Sequence, residues 1–386
     1  MAEPLLRMTW TDPITGRHGY AVVDTLVEGI AAGGTRLRAG VTLQEVERLA
    51  HAMSLKMGAL AIPSGGAKFG VDADPTDPAA EGVLVRFVRH LKPLFETMLV
   101  TGEDMGTSPE LLDRVFRAAG VDSSLHAGLT RSGDPAAALA RVAEGLQVRN
   151  EGIRLVDLVG GYGVAEAVLA AIEELDLGDP SLLRASIQGF GSMGGSAARY
   201  LVRAGVRVVA VADATGVVAN PVGLDVEAML AARSELGDID RSRLRATDDQ
   251  LPREAWLTVD ADILVPAAVA DAINEANCDA IRASLIVEAA NIPTTATAER
   301  RLADRGITVI PDFVANSGTN AYLWWLVLGK IEPNSDSAFN AIGQTMRDAV
   351  PAALRAAIAD GETPRAAAER QALQRLGDMA AAPAAS

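Results

Sequence analysis

One cysteine, Cys278, is all the thiol chemistry in 386 residues. That excludes an intrachain disulfide and any cysteine-cluster metal site, and it fits a reducing cytoplasm. Histidine is almost as sparse: His18, His51, His90 and His126 are scattered without ligand spacing, so no metal is expected. Positive charge is short as well. Lys and Arg number 35 against 50 Asp and Glu, a net charge of −15. Nucleic-acid phosphates and anionic membranes would be repelled, so neither is an expected partner. No apolar run approaches the roughly 20 residues of a membrane span. The start, MAEPLLRMTWTD, lacks a basic region followed by a long apolar stretch, so no signal peptide is visible. A cytoplasmic location is the expectation. With 49% hydrophobic residues, a chain of this length suits two domains with buried cores.

What is present centres on Met53–Gly70, MSLKMGALAIPSGGAKFG. Thr42-Leu-Gln-Glu45 is a capping-box signature for the helix that leads into it. Val46, Leu49, Met53, Met57 and Leu60 then recur at helical spacing. Lys56 projects from that apolar side, where an amine needs an anion or a polar cleft; a snorkelling lysine is the bland alternative. Pro63–Ala67 reads as a glycine-rich turn that exposes backbone amides beside Lys68. A lysine against a small-residue wall can have its pKa lowered towards neutrality, the condition for general acid–base work. Met98–Thr101 reads as a short strand that delivers Asp104 between glycines, a catalytic placement or an Asx turn. Ser108-Pro109 starts another helix, which Gly120 stops. The segment from about Val121 to Val159 is where a hinge or domain boundary is expected.

From Arg184 the pattern becomes alternating strand and helix. A strand runs into Gly189-Phe190-Gly191-Ser192-Met193-Gly194, a helix follows, and a buried strand Val206–Ala212 ends in Asp213. This is G-x-G-x-x-G in its proper setting, with an acid about twenty residues beyond it. The glycines admit a pyrophosphate to the backbone, the helix N-terminus favours its charge, and the acid can bind ribose hydroxyls. No Arg or Lys follows Asp213 directly, which favours NAD over NADP. Three later strands run into Ala267, Asn291 and Asn316. In a doubly wound sheet these ends share one rim, so all three should face the cofactor crevice; buried structural asparagines are the alternative. The tail AAAPAAS is expected to be disordered.

Together these segments resemble the glutamate/leucine/phenylalanine/valine dehydrogenase family. The matching pieces are GGTR (Gly33–Arg36), KMGALAIPSGGAK (Lys56–Lys68), TGEDMGTSPE around Asp104, GFGSMGG, ADILVPAA, EAANIPTT and IPDFVANSGTN, in family order. The resemblance implies an α/β fold of two domains separated by a cleft. Residues 1–150 would form an N-terminal substrate and oligomerisation domain, with helices 341–386 packing back on it. Residues 151–340 would form a Rossmann-type doubly wound NAD-binding domain. It also implies reversible oxidative deamination of an L-amino acid by NAD and water to a 2-oxo acid, NADH and ammonium, in a homo-oligomer. By position Lys56 would bind the substrate carboxylate beside Gly33 and Gly34, Lys68 would activate water, and Asp104 would shuttle a proton.

Family members acting on glutamate resemble one another in a lysine before GGxR and a serine seven residues after the asparagine matching Asn316. Here those places hold Ala32 and Leu323. A γ-carboxylate would be buried without partners, so an apolar side chain, branched or aromatic, is the expected substrate. The alternatives are a glutamate dehydrogenase with an altered pocket, or a non-catalytic paralogue that binds NAD and an amino acid. Two places depart from the family pattern. Gly160 stands where a threonine usually approaches the nicotinamide, and Ser317-Gly-Thr319 replaces a Gly-Gly pair.

Overall fold

The structure, a computed structural model, describes residues 3–234 and 237–381. It divides into two compact units. The first takes the chain to Arg141, with Val327–Gly329 and the stretch from Glu369; the second holds Val142–Leu326 and Lys330–Ala368. Most of the tail expected to be disordered, residues 382–386, lies outside the described residues.

In the first unit β1 (Leu6–Thr11), β2 (His18–Val23), β3 (Ala31–Leu37), β4 (Gly65–Val71) and β5 (Leu99–Glu103) form a sheet in the order β1-β2-β4-β3-β5. β3 runs parallel to both β4 and β5, and β1 and β2 complete the sheet antiparallel. Helix α1 (Leu43–Ala59) starts where its signature predicts: Thr42 caps it by accepting from Glu45 N–H at 3.2 Å. The reciprocal half of the capping box is absent, because the Glu45 carboxylate is held by Arg36 and Arg38. On the other side lie α2 (Ala80–His90), α3 (Lys92–Thr97) and α4 (Pro109–Ala119), the last capped by Ser108 and ended by Gly120 at φ +80°. Phe69 of β4 meets Phe95, and Phe95 meets Phe116, with ring centroids 5.1 and 4.9 Å apart. A short α5 (His126–Leu129) follows.

β4 corrects the sequence reading. Gly65 and Gly66 are not a turn with exposed amides but the start of a strand buried along its whole length. A Cβ on Gly65 would lie 2.0 Å from the Thr25 carbonyl oxygen, and one on Gly66 would lie 2.1 Å from Ser54 N of α1. Glycine is there so that helix and strand can approach backbone to backbone.

The chain passes from the first unit to the second within α6 (Pro135–Gln147), which leads through the hairpin β6 (Arg149–Asn150) and β7 (Ile153–Arg154) into α7 (Leu155–Glu174). Strands β8 (Arg184–Gln188), β9 (Arg207–Ala212), β10 (Val217–Ala219), β11 (Asp249–Leu251), β12 (Ile263–Pro266), β13 (Leu285–Val287) and β14 (Thr308–Ile310) assemble as β11-β10-β9-β8-β12-β13-β14. From β9 to β14 the neighbours are parallel, and the order from β10 on is that of the doubly wound dinucleotide fold. β10 and β11 run antiparallel to their neighbours. The four residues from Asp213 to Gly216 are far too few for a parallel crossover. Helices α8 (Ser192–Arg203), α9 (Val226–Ala232), α10 (Ala296–Asp304), α11 (Asp312–Ala315), α12 (Gly318–Leu328), α13 (Ser335–Asp360) and α14 (Pro364–Ala381) complete the element order.

α7 begins at Leu155, inside the segment read as a hinge or domain boundary, so Gly160 and Gly161 lie inside a helix. A Cβ on Gly161 would sit 2.3 Å from Met193 O, which is how α7 and α8 come into close contact. α7 is also long and apolar enough to cross a membrane by composition, contrary to the run-length reading, but 72% of it is buried in the protein. α13 belongs to the second unit, where Arg347 and Arg355 pair with Glu166 and Glu174 of α7. After the brief visit at Val327–Gly329, the chain returns to the first unit from Glu369, where Arg375 donates to Ala59 O at 3.0 Å.

Candidate functional site

Strand alternation decides where Lys68 points. Gly66 and Gly70 face α1, since their missing Cβ atoms make room for Ser54 and Val46, so Lys68 between them faces the same side. Its ammonium meets the carboxylate of Asp104, which follows β5. Arg36 of β3 reaches the same carboxylate through Nη2, 3.1 Å from Oδ1 and 3.3 Å from Oδ2, while its Nη1 donates to Glu45 at 2.6 Å. The result is an alternating chain of charge, Lys68–Asp104–Arg36–Glu45–Arg38. Met105 N–H donates to Asp104 Oδ1 at 2.6 Å, and Thr107 Oγ1 accepts from Asp104 N–H while donating to Thr35 O. The acid is therefore fixed to β3 as well as to its own turn.

The pair is electrostatically unequal. Burial raises the Asp104 pKa, but Lys68, Arg36 and the Met105 amide more than reverse it, and the carboxyl stays well below the usual carboxylate range. Burial of Lys68 lowers its amine; Asp104 opposes this, but Arg36 repels the ammonium and the net direction is down. One cation shares an acid that another cation already holds. A lysine biased towards the neutral amine beside a firmly ionised acid is a constellation for proton transfer.

β3 is the wall of this site. Ala32 and Gly34 share the Lys68 face, and a Cβ on Gly34 would come within 3.0 Å of Lys68 Nζ and 3.1 Å of Asp104 Cβ. Ala32 is buried, paired in register with Gly66 and Val100. A Cβ on Gly33 would lie 1.6 Å from Ala67 O. Gly33→Ala should therefore force β3 and β4 apart and lower the melting temperature by more than about 5 °C; an unchanged melt would contradict the geometry. Lys56, in the last turn of α1, is 8% exposed.

The glycine loop of the second unit has the geometry a dinucleotide needs. Gly189 has φ +96°, and a Cβ on Gly194 would lie 2.1 Å from Gly189 O. Gly191 has open space where a Cβ would project. The loop is tight where it packs and open where a pyrophosphate would lie, so the residues present fit the group. Phe190 is buried, Ser192 is exposed in the first turn of α8, and Met193 is half-buried. Ala267 is brought against the loop, its Cβ 3.2 Å from the Cβ position of Gly194. Asn316 is 5% exposed and donates to Ala289 O, Ala290 O and Asn291 Oδ1 at 3.1–3.2 Å, so Asn291 and Asn316 are joined at the ends of β13 and β14. Behind them a buried knot escaped sequence reasoning. Arg365 of α14 pairs with Glu288, Glu299 and Asp312 together. Among the described residues no group of His, Cys, Asp and Glu side chains could hold a metal ion.

A family model for glutamate/leucine/phenylalanine/valine dehydrogenase matches residues 152–382, and one for the Glu/Leu/Phe/Val dehydrogenase dimerisation domain matches residues 8–119. The chain belongs to this family. Two Halobacterium salinarum relatives are similar over most of this chain. An NADP-specific glutamate dehydrogenase A1 is 33% identical over 84% of this chain and 79% of its own length. An NAD-specific glutamate dehydrogenase A is 32% identical over 80% of this chain and 68% of its own length. Among solved structures, the Leu-bound hetero-hexameric glutamate dehydrogenase of Thermus thermophilus superposes with a TM-score of 0.77 at 27% identity. That match covers 97% of this chain and 89% of the other. Membership makes this an amino acid dehydrogenase, an oxidoreductase on CH–NH2 donors using a nicotinamide cofactor.

The departures from the family pattern are spatially linked. A Cβ on Gly160 would lie 2.7 Å from Thr319 Oγ1 and 2.9 Å from Met193 Cε, so Thr319 fills the room that a side chain at 160 would need. The two substitutions concern one place in the fold, reached from α7 and from α12, which no local reading could join. Leu323, four residues along α12, is half-buried in the second unit.

Proposed function

We propose that this chain catalyses the NAD-linked, reversible oxidative deamination of an apolar L-amino acid, branched or aromatic. The observation that carries it is the buried Lys68–Asp104–Arg36 cluster. A nicotinamide dinucleotide held at the Gly189–Gly194 loop would supply the acceptor for the hydride of the substrate Cα. Lys56 anchors the α-carboxylate, for which a buried ammonium is the complement. Lys68, as the neutral amine, takes a proton from the water that adds to the imine carbon, and as the ammonium it stabilises the oxygen as the carbinolamine collapses. Asp104 carries the proton to and from the departing nitrogen, with Arg36 holding it in place. The products are the 2-oxo acid, NADH, ammonium and a proton.

Ala32 supports the apolar reading. It is 3% exposed on the Lys68 face and offers no charge to a side-chain carboxylate. Leu323, at the other position, is equally without a donor. The names of the relatives favour a second reading, a glutamate dehydrogenase with an altered pocket. A panel of 2-oxo acids with ammonium and NADH separates the two. We expect branched or aromatic 2-oxo acids to consume NADH at kcat/KM about a hundredfold or more above 2-oxoglutarate. A preference for 2-oxoglutarate would install the second reading. We also assign the protein to the cytoplasm as a homo-oligomer; the matched dimerisation-domain model supports the latter.

A further inference from the structure

Two polar groups beyond the strand ends of the second unit differ in what they have to spare. Asp213 has its oxygens taken. Oδ1 accepts from Thr215 N–H and Thr215 Oγ1, both at 2.8 Å, from Gly216 N–H at 3.1 Å and from Arg241 Nη2 at 2.8 Å. Oδ2 accepts from Ile239 N–H at 2.9 Å and Arg241 Nη1 at 2.7 Å. Asn316 is the opposite case. Its Nδ2 donates to Ala289 O, Ala290 O and Asn291 Oδ1, which fixes the orientation of the amide. Its Oδ1 is buried and has no hydrogen-bond partner among the described residues. Leaving a buried acceptor open destabilises a fold, and a donor on a bound ligand would satisfy it.

The aim of that amide depends on an unfavourable piece of backbone. Ile292 has φ +50°. It is β-branched, for which the left-handed region is a genuine outlier, and it precedes Pro293, which also favours an extended conformation. Strain of this kind persists only where the surroundings over-determine it. Here Ile292 is held at both ends. Its N–H donates to Asp312 Oδ2 at 2.9 Å, and its carbonyl accepts from Asp271 N–H at 3.0 Å. Asp271 is itself left-handed, at φ +54°. The segments after β12 and β13 are thus latched to one another, with Asn291 immediately before the latch.

Asp312 touches every part of this arrangement. Besides holding Ile292, it accepts at its carbonyl from Asn316 N–H at 2.8 Å, donates its N–H to Glu288 Oε2 at 3.0 Å, and accepts at Oδ1 from Arg365 Nη1 at 3.1 Å. It is 1% exposed. One carboxylate oxygen is anchored in the ionic knot, the other holds the strained turn, and the main chain fixes Asn316. Without the bond to Oδ2, Ile292 would relax towards an extended conformation and carry Asn291 away from Asn316. An amide at 312 has one acceptor oxygen where the carboxylate has two, so it can face Arg365 or Ile292 but not both.

We propose that Asp312 is a positioning residue for dinucleotide binding. Its carboxylate holds Ile292 left-handed, and that turn aims Asn291 and Asn316 so that Asn316 Oδ1 meets a donor of the bound dinucleotide. The proposal rests on reading the Gly189–Gly194 loop and the two asparagines as the dinucleotide site. The test is equilibrium binding of NADH and NADPH to the full-length protein and its variants, followed by nicotinamide fluorescence without substrate. We expect Asp312→Asn to weaken binding tenfold or more, and Glu299→Gln, which alters the same knot from α10, to stay within twofold. Ile292→Gly should also stay within twofold, because glycine adopts the left-handed region without a steric penalty. Added to Asp312→Asn, it should restore affinity to within threefold of the unaltered protein, a rescue that a merely structural role for Asp312 would not give. Asp312→Asn within twofold of the unaltered protein, equal weakening by Glu299→Gln, or no recovery by Ile292→Gly would overturn the role of Asp312. If Asp312→Asn does not fold, Asp312→Glu, which keeps the charge and displaces the oxygens, is read in the same way. Binding that is indifferent to Asn291→Ala would overturn the reading of the asparagines and the proposal with it. Failure of the unaltered protein to bind either dinucleotide would overturn the dinucleotide reading as a whole.

Discussion

Lys68→Ala should lower turnover about a thousandfold or more, within the range that positioned acid–base groups contribute, while leaving NADH affinity within twofold. The residue lies in the first unit, on β4, and the dinucleotide loop lies in the second, so the substitution touches no group that we assign to the cofactor. The fold should survive it, because Asp104 keeps Arg36 and the Met105 amide as partners. Asp104→Asn should be as damaging to turnover for a different reason. It removes the charge that supports the Lys68 ammonium, so the amine of that variant should titrate lower still. In the deamination direction kcat should rise with pH as Lys68 loses its proton, because the neutral amine is the form that accepts one from water. The midpoint of that rise should lie below the ordinary lysine range. Parallel loss of turnover and of NADH binding in either variant would contradict the roles of Lys68 and Asp104.

The second large effect concerns stability. Arg365→Met should destabilise the protein by roughly 3–5 kcal/mol, the usual consequence of leaving buried charge without its partner. Glu288 and Asp312 are almost fully buried, and Arg365 is the cation that holds them with Glu299. One positive charge does not balance three carboxylates. Burial raises the Glu288 pKa; Arg365 opposes it, Asp312 and Glu299 add to it, and the outcome is about 7.

The sign of the pH dependence follows from that shift. The folded state binds the Glu288 proton more tightly than the unfolded chain, whose glutamate titrates near its ordinary value of 4.5. Its stabilising contribution is complete below that value and is lost as pH rises towards 7. Glu288→Gln keeps the volume and mimics the protonated form, so urea melts of the variant should differ less between pH 5 and pH 8 than those of the unaltered protein. At pH 8 the variant should be the more stable of the two. Parallel stability curves would remove Glu288 as the titrating group.

The knot also bears on the candidate cofactor rim. Asp312 Oδ2 accepts from Ile292 N–H at 2.9 Å, and Glu288 accepts from Asp312 N–H at 3.0 Å. These bonds tie the segments that carry Asn291 and Asn316.

Much of this was legible without a structure because the signals were short-ranged. Thr42 and Ser108 cap helices by bonds to residues three positions on, and the glycine loop with its flanking strand and helix is one contiguous unit. Lys56, Lys68, Asp104 and the glycine loop were singled out from sequence, and apolar periodicity located α1 and β9. Reading Gly65-Gly66 as a turn failed because the same glycines that permit a turn also permit helix and strand to touch, and only the packing partner distinguishes the two.

What the sequence by itself determined, then, was the identity of the chemical groups and the order of the elements that carry them. Tertiary structure alone decided which groups meet. Arg36 reaches Asp104 across 68 positions, Arg241 reaches Asp213 across 28, and Arg365 reaches Glu288 across 77. No periodicity in a chain encodes such pairings. They follow from the strand order β4-β3-β5 in the first unit, and in the second from a helix and a loop that return to the ends of strands laid down long before.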